Sequence, residues 1–209
     1  MAKHVAFKQD NIAQHYDELS AHYEQIYLRA GWHDPKMCAD FAADALKNPD
    51  AEILDMGCGT GLVGHYLSEK GYRNIVGVDA SRGMIDKAEE KGCYKEIKEL
   101  FLGRPDHYPE DLKGRFDAVT ASGILAEGHL DNRVFDEMLM SIRDNGFMIF
   151  ATRTEYLSKY SYAEKIKELT QQGKWKLVTE HTFDRYDKLG EVVGRFSKTE
   201  AKVFVYQKL

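Results

Sequence analysis

Cysteine is scarce in this chain, and the three present, Cys38, Cys58 and Cys93, stand far apart with no pair at metal-ligand spacing. That argues against a disulfide framework or a zinc site and points to a reducing compartment. His15, His22 and His33 do not repeat the spacing of a metal-binding helix, so no metal is expected. No apolar stretch reaches the roughly 18 residues that a spanning helix needs, and no membrane association is expected. The opening MAKHVAFKQD lacks the apolar block of a secretory signal and the arginine-rich character of a transit peptide, which makes the cytoplasm the expected location. Runs of five basic residues are also missing and the formal charge is −5, so a nucleic-acid partner is disfavoured. With no Pro/Gly/Ser linker and no internal repeat, residues 1–209 are expected to form one domain. A chain of this length buries roughly 70% of its unfolded surface, enough for a core without staples.

Alternating helix and strand patterns are abundant, and they predict a doubly wound, mostly parallel α/β sheet. Ile12, Tyr16, Leu19, Tyr23 and Ile26 form one helical stripe over about 10–29, and Asp34-Pro35 opens a second helix that runs to about 46. Together, residues 1–48 are expected to cap a sheet built from 49–209. Strands are predicted at 51–56, 74–78, 96–102, 115–120, 147–152, 175–183 and 202–207. The first five are joined by crossover helices and the last two by a loop, which implies seven strands with one antiparallel. Ser81 and Gly92 bound one crossover helix, Asn145-Gly146 closes another, and Ser161-x-x-Glu164 reads as a capping box.

The most informative segment is Ile53-Leu54-Asp55-Met56-Gly57-Cys58-Gly59-Thr60-Gly61-Leu62, a buried strand running through a glycine turn into a helix. Glycines there permit positive φ and let a ligand press on bare backbone. The helix's first amides are expected to face the ligand. Asp79, ending the second strand, is placed to accept hydrogen bonds from ribose hydroxyls, which implies an adenosine-type ligand. Gly59-x-Gly61-x-x-Gly64 also satisfies the dinucleotide fingerprint, with Asp79 about 20 residues on. The glycine at the strand end, however, is Gly57, preceded by the acid Asp55. An acid suits a cationic cofactor better than a pyrophosphate, so placement favours S-adenosylmethionine over NAD.

ILDMGCGTG, VGVDAS and FDAVTASGIL together resemble class I S-adenosylmethionine-dependent methyltransferases over about residues 10–155. CGTGLV, the LG-x-x-P of Leu102–Pro105, ATRT and QQGKW are similar to the methyltransferase-like proteins of the Williams–Beuren syndrome region. The resemblance implies that Asp55 and the loop of Gly57, Cys58, Gly59 and Gly61 hold the methionine part of the cofactor. It puts Asp79 on the ribose, Ala80 and Met84 on the adenine, Leu102 and Gly103 at the adenine edge, and Ala121 and Ser122 at the sulfonium. Tyr16 and Tyr23 would close the pocket. Leu102-Gly103-Arg104 lacks the acid that many members use to read the adenine amino group, which leaves a backbone group or Asp106 for that contact.

Cys58 reads as a small residue tolerated in a crowded turn rather than a nucleophile. No catalytic side chain is assigned, because the cofactor carries the reactivity. His129, Glu127 and Asp131, beyond the fourth strand, are candidate bases, with a solvated histidine as the blander reading of His129. Arg153 faces either an acidic substrate or a surface ion pair. Lys165, Lys167, Lys174 and Lys176, interleaved with Glu164 and Glu168, read as a solvated face. The absence of Asn/Asp-Pro-Pro-Tyr after the fourth strand disfavours methylation of exocyclic amines. A small-molecule acceptor is expected, with lids from the N-terminal helices and from segments 154–161 and 184–198. A protein substrate, or a regulatory role through a protein partner, remains the alternative.

Overall fold

A computed structural model describes residues 9–191 and 196–209. Seven strands, β1 (Ile53–Met56), β2 (Ile75–Asp79), β3 (Glu96–Glu99), β4 (Phe116–Ser122), β5 (Ile142–Arg153), β6 (Trp175–Asp184) and β7 (Glu200–Lys208), form one sheet in the order β3-β2-β1-β4-β5-β7-β6. All neighbours are parallel except β7, which runs antiparallel to β5 and β6. The order reverses between β1 and β4, and the carboxyl ends flanking that switch are where open α/β sheets hold ligands.

Residues alternating along the strands supply a core on each face. Ile53, Ile75, Ala118 and Ile149 belong to one cluster with Cys38 and Ala42 of α3 (Asp34–Leu46) and Val63 and Leu67 of α4 (Leu62–Glu69). Leu54, Val76, Val119 and Phe150 belong to the other, with Phe135 and Met138 of α6 (Val134–Ser141) and Tyr162 and Leu169 of α8 (Tyr162–Gln171). Burial on both sides explains why β1 is apolar throughout apart from Asp55. Between β2 and β3, α5 (Arg82–Lys91) starts at Ser81, whose hydroxyl accepts the Met84 amide, and ends at Gly92 in the left-handed region, as the sequence predicts.

Four local expectations are corrected. The stripe over 10–29 is two helices, α1 (Gln9–Leu19) and α2 (Tyr23–Arg29). At the break, Ser20 Oγ bonds the Asp17 carbonyl at 2.8 Å, a local alternative to helix continuation. No α-helix joins β3 to β4; two 3₁₀ turns, Pro105–His107 and Glu110–Leu112, make the connection. Asn145-Gly146 does not close α6, because β5 already begins at Ile142, directly after Ser141. Ser161 sits before α8 with φ 58° and makes no side-chain cap, so the capping box does not form. The short α7 (Thr154–Lys159) lies between β5 and that point. Among the described residues, no helix is long and apolar enough to cross a membrane.

Candidate functional site

A cavity opens above the carboxyl ends of β1, β2 and β4. Its floor is Gly57, Gly59, Asp79 and Ala80; Met84 and the run Leu100–Leu102 form one wall, and Ser122, Gly123 and Ile124 the other. Ile12, Ala13 and Tyr16 of α1 and Tyr23 of α2 close it from above, with His129 and Leu130 from the β4–α6 loop.

The glycine turn follows from its surroundings. Gly57 (φ +67°) leaves no room for a side chain, since a Cβ would lie 2.1 Å from Ile124 Cγ2. Gly59 (φ +53°) meets nothing within 4 Å, so its bare face is open to a ligand. The amides, in contrast, point inward. Those of Gly57 and Cys58 donate to the Val78 carbonyl at 2.8 and 2.9 Å, Gly59 to Asp79 Oδ2 at 2.8 Å, and Gly61 to the Cys58 carbonyl at 2.8 Å. The expectation that the first amides of α4 face the ligand is corrected in the same way at Gly64, whose N–H donates to Tyr94 Oη at 3.2 Å. A phosphate cradle needs such amides free.

Tyr94 is the residue that sequence reasoning missed. Its ring fills the space left by Gly64 and Gly77, where an added Cβ would lie 2.3 and 3.1 Å from it, and it packs at 3.0 Å on the Cβ position of Gly61. The last glycine of Gly59-x-Gly61-x-x-Gly64 thus serves packing against a ring. Tyr94 Oη donates to Asp55 Oδ2 at 2.7 Å, and Thr120 Oγ1 donates to Asp55 Oδ1 at 2.9 Å. Asp55 is fully buried beneath the turn, outside the cavity lining. Burial raises its carboxyl to about 6, against the pull of those two hydrogen bonds.

Asp79 accepts from Gly59 N at Oδ2 and from Ser81 N at Oδ1 (2.9 Å), and it lines the cavity. Burial raises its carboxyl, and the backbone hydrogen bonds oppose the rise. Asp17 of α1 accepts from Ser81 Oγ at 2.6 Å and from Gly83 N at 2.8 Å, tying the covering helix to the start of α5. Tyr16 Oη and His129 Nε2 are 2.5 Å apart, and His129 Nδ1 lies 2.8 Å from the Glu127 carbonyl.

Of the residues expected at the site, Tyr16, Tyr23, Gly57, Gly59, Asp79, Ala80, Met84, Leu102 and Ser122 line the cavity. Asp55, Cys58, Gly61, Gly103 and Ala121 do not. Cys58 is buried, which pushes its thiol up and away from nucleophilic use. Ala121 is core in β4, its carbonyl 3.6 Å from Cys38 Sγ. Gly103 is turned to Glu137 of α6, whose Oε2 and Oε1 accept the Gly103 and Arg104 amides at 2.7 Å each. That buried carboxylate holds the chain leaving Leu100–Leu102, and no local pattern announces it. Asp106 is exposed and outside the lining. So are the other two candidate bases: Glu127 pairs with Lys159 at 3.3 Å and Asp131 with Arg133 at 2.8 Å. Arg153 pairs with Glu155 at 3.4 Å. Residues 192–195 of the expected 184–198 lid, and 1–8 of the N-terminal cap, lie outside the described residues.

Comparison with known proteins gives the family and the fold. A family model described as a methyltransferase domain matches residues 53–146. The chain is 32% identical over 177 residues to methyltransferase-like protein 27 of Homo sapiens, covering 81% of this chain and 70% of that protein. It is 31% identical over 86 residues to the mitochondrial ubiquinone biosynthesis O-methyltransferase of Saccharomyces cerevisiae, over 41% of this chain and 27% of that one. In fold it is similar to magnesium protoporphyrin IX methyltransferase of Synechocystis PCC 6803 solved with bound SAM, with a TM-score of 0.70, 14% identity and 100% of both chains covered.

Proposed function

We propose, from the premise that this chain belongs to the class I S-adenosylmethionine-dependent methyltransferases, that its methyl acceptor is a small molecule enclosed beneath α1 and α2. The bound cofactor supplies an electrophilic methyl group on a sulfonium, so the protein's work is to orient two partners and exclude water. Asp79, in the cavity lining, takes the ribose hydroxyls. Ala80, Met84 and Leu100–Leu102 pack on the adenine, and Glu137 steadies that wall through Gly103. Gly57 and Gly59 admit the methionine part against bare backbone, and Ser122 lies at the sulfonium end. Asp55 acts from behind the turn, through Tyr94 and Thr120, rather than by touching the ligand.

The inward-pointing amides of the glycine turn carry this reading. With the amides of Gly57, Cys58, Gly59 and Gly61 given to acceptors of its own protein, the turn offers a pyrophosphate fewer donors than a dinucleotide loop does and suits a cationic or neutral group. The cover that Ile12, Ala13, Tyr16 and Tyr23 give the cavity supports a small-molecule acceptor. Residues 1–209 act in this reading as one unit in the cytoplasm, with the N-terminal helices as its lid.

Calorimetric titration with S-adenosylmethionine, S-adenosylhomocysteine and NAD, repeated on Asp79→Ala, tests the cofactor site. The first two ligands are expected to bind the native protein, with affinity lowered at least tenfold in the variant. Binding of NAD alone would overturn the assignment.

A further inference from the structure

The Tyr16–His129 contact has a chemistry beyond closing the cavity. The Glu127 carbonyl can only accept, so its contact with His129 Nδ1 fixes the ring proton on that nitrogen. Nε2 is then a bare lone pair, and Tyr16 must be the donor across the 2.5 Å contact. Burial pushes the imidazole below its ordinary range, aided by Arg185 from the end of β6 and His15 from α1, so the ring is neutral at pH 7. Burial also keeps the Tyr16 hydroxyl protonated, with Tyr27 and Asp79 adding to the effect and Arg185 opposing it. Tyr16 Oη therefore keeps lone pairs for a second donor, and both residues line the cavity.

The register of this pair is set next door. Asp17, adjacent to Tyr16, is held by Ser81 Oγ and Gly83 N, while Ser81 N is held by Asp79. The helix that carries Tyr16 is thus latched to the carboxylate assigned to the ribose. Tyr23, whose ring lies 6.0 Å from that of Tyr16, shares this lining with the apolar Ile12, Ala13, Ile124 and Leu130 and with Gly123. Among the described residues, no lysine or arginine lines the cavity and Asp79 is its only carboxylate. A charged acceptor would lose its hydration there without gaining a partner.

We propose, resting on the small-molecule reading above, that the acceptor is an uncharged, mainly apolar phenol and that Tyr16 and His129 relay its proton away. The acceptor hydroxyl donates to Tyr16 Oη while Tyr16 donates to His129 Nε2. As the oxygen–methyl bond forms, the sulfur–methyl bond breaks and its electron pair stays on sulfur. The acceptor's proton passes to Tyr16 and the proton of Tyr16 passes to Nε2. The positive charge lost from the sulfonium ends on the imidazolium, whose Nδ1–H remains on the Glu127 carbonyl. A phenol, ionising near about 10, lies within reach of a neutral imidazole, whereas an aliphatic alcohol is far less acidic and a carboxylate needs no base.

Two readouts independent of turnover test the relay. Nitrogen NMR of histidine-labelled protein should show His129 neutral and protonated on Nδ1, with the Nε2 resonance moving in Tyr16→Phe. In protein saturated with S-adenosylhomocysteine, para-cresol should bind about tenfold more weakly to Tyr16→Phe, the loss of one hydrogen bond. Turnover is then measured with S-adenosylmethionine and para-cresol, benzylamine or benzoate. Cresol should be methylated, and Tyr16→Phe and His129→Asn should each slow it about 10²-fold or more at saturating S-adenosylmethionine. The native rate should fall as pH drops through the His129 titration, and that limb should vanish in His129→Asn. An Nε2–H tautomer, native rates in both variants, or methylation of benzylamine or benzoate but not cresol would overturn the relay while leaving the small-molecule reading intact. Methylation of protein and of none of the three probes would overturn both.

Discussion

Replacing Tyr94 by Phe keeps the ring against Gly61, Gly64 and Gly77 and removes one oxygen that serves two partners. Gly64 N would lose its acceptor and Asp55 Oδ2 its donor, both inside the protein. A hydrogen bond to a charged group contributes about 1.5–3 kcal/mol, and a neutral one about 1 kcal/mol. The cost therefore depends on whether Asp55 is ionised, and pH separates the two contributions. In the folded chain this carboxyl titrates near about 6 rather than at 3.8, because burial disfavours its charge. The folded state binds the proton more tightly than the unfolded state, so stability falls as pH rises from about 4 to 6 and is level above. Losing the Tyr94 donor raises the folded carboxyl further and extends the fall above pH 6. Tyr94→Phe removes both bonds at either pH, and is thus expected to cost about 3 kcal/mol at pH 8, where Asp55 is ionised, and about 2 kcal/mol at pH 5, where both bonds are neutral. For a chain of this size the loss at pH 8 corresponds to roughly 6–12 °C in Tm. Thermal unfolding followed by circular dichroism at the two pH values measures both. Equal losses at pH 5 and pH 8 would refute the coupling to Asp55, and no loss at either would refute the bridge.

Two further outcomes test the frame around the site. Glu137→Ala leaves the Gly103 and Arg104 amides without their acceptor, and is expected to cost about 2–3 kcal/mol in denaturant unfolding and to weaken S-adenosylhomocysteine several-fold. An unchanged affinity would separate that wall from the ligand. Arg185 and Asp34, both buried, pair at 3.0 Å and join the end of β6 to α3. Arg185→Met is expected to lose about 3–5 kcal/mol by stranding Asp34, and the double variant with Asp34→Leu to recover most of it; equal losses in both would contradict a charge-stranding cost.

What the chain declares about itself is local. The acid and alternating glycines at 55–61, the Asp79 at the next strand end and the Ser81 and Gly92 caps lie within one or two turns of the backbone they govern, so their spacing alone identifies a cofactor-binding α/β unit. The strand count was legible because apolar periodicity records which faces are buried, and the single antiparallel strand because no helical pattern separates the last two strands. Where competing local forces are close, periodicity failed: at the break near Ser20, where the hydroxyl bonds the Asp17 carbonyl, at the missing helix before β4 and at the uncapped Ser161. The site's inner workings were settled by distance along the chain. Tyr94 reaches Asp55 across 39 positions, Gly103 reaches Glu137 across 34, and Tyr16 meets His129 across 113. No propensity or spacing encodes such pairs, since their partners are chosen by the order in which strands stack and by which polar groups burial leaves unsatisfied. The turn's amides, aimed at Val78 and Asp79 instead of at the ligand, were likewise decided only when β1 and β2 came together.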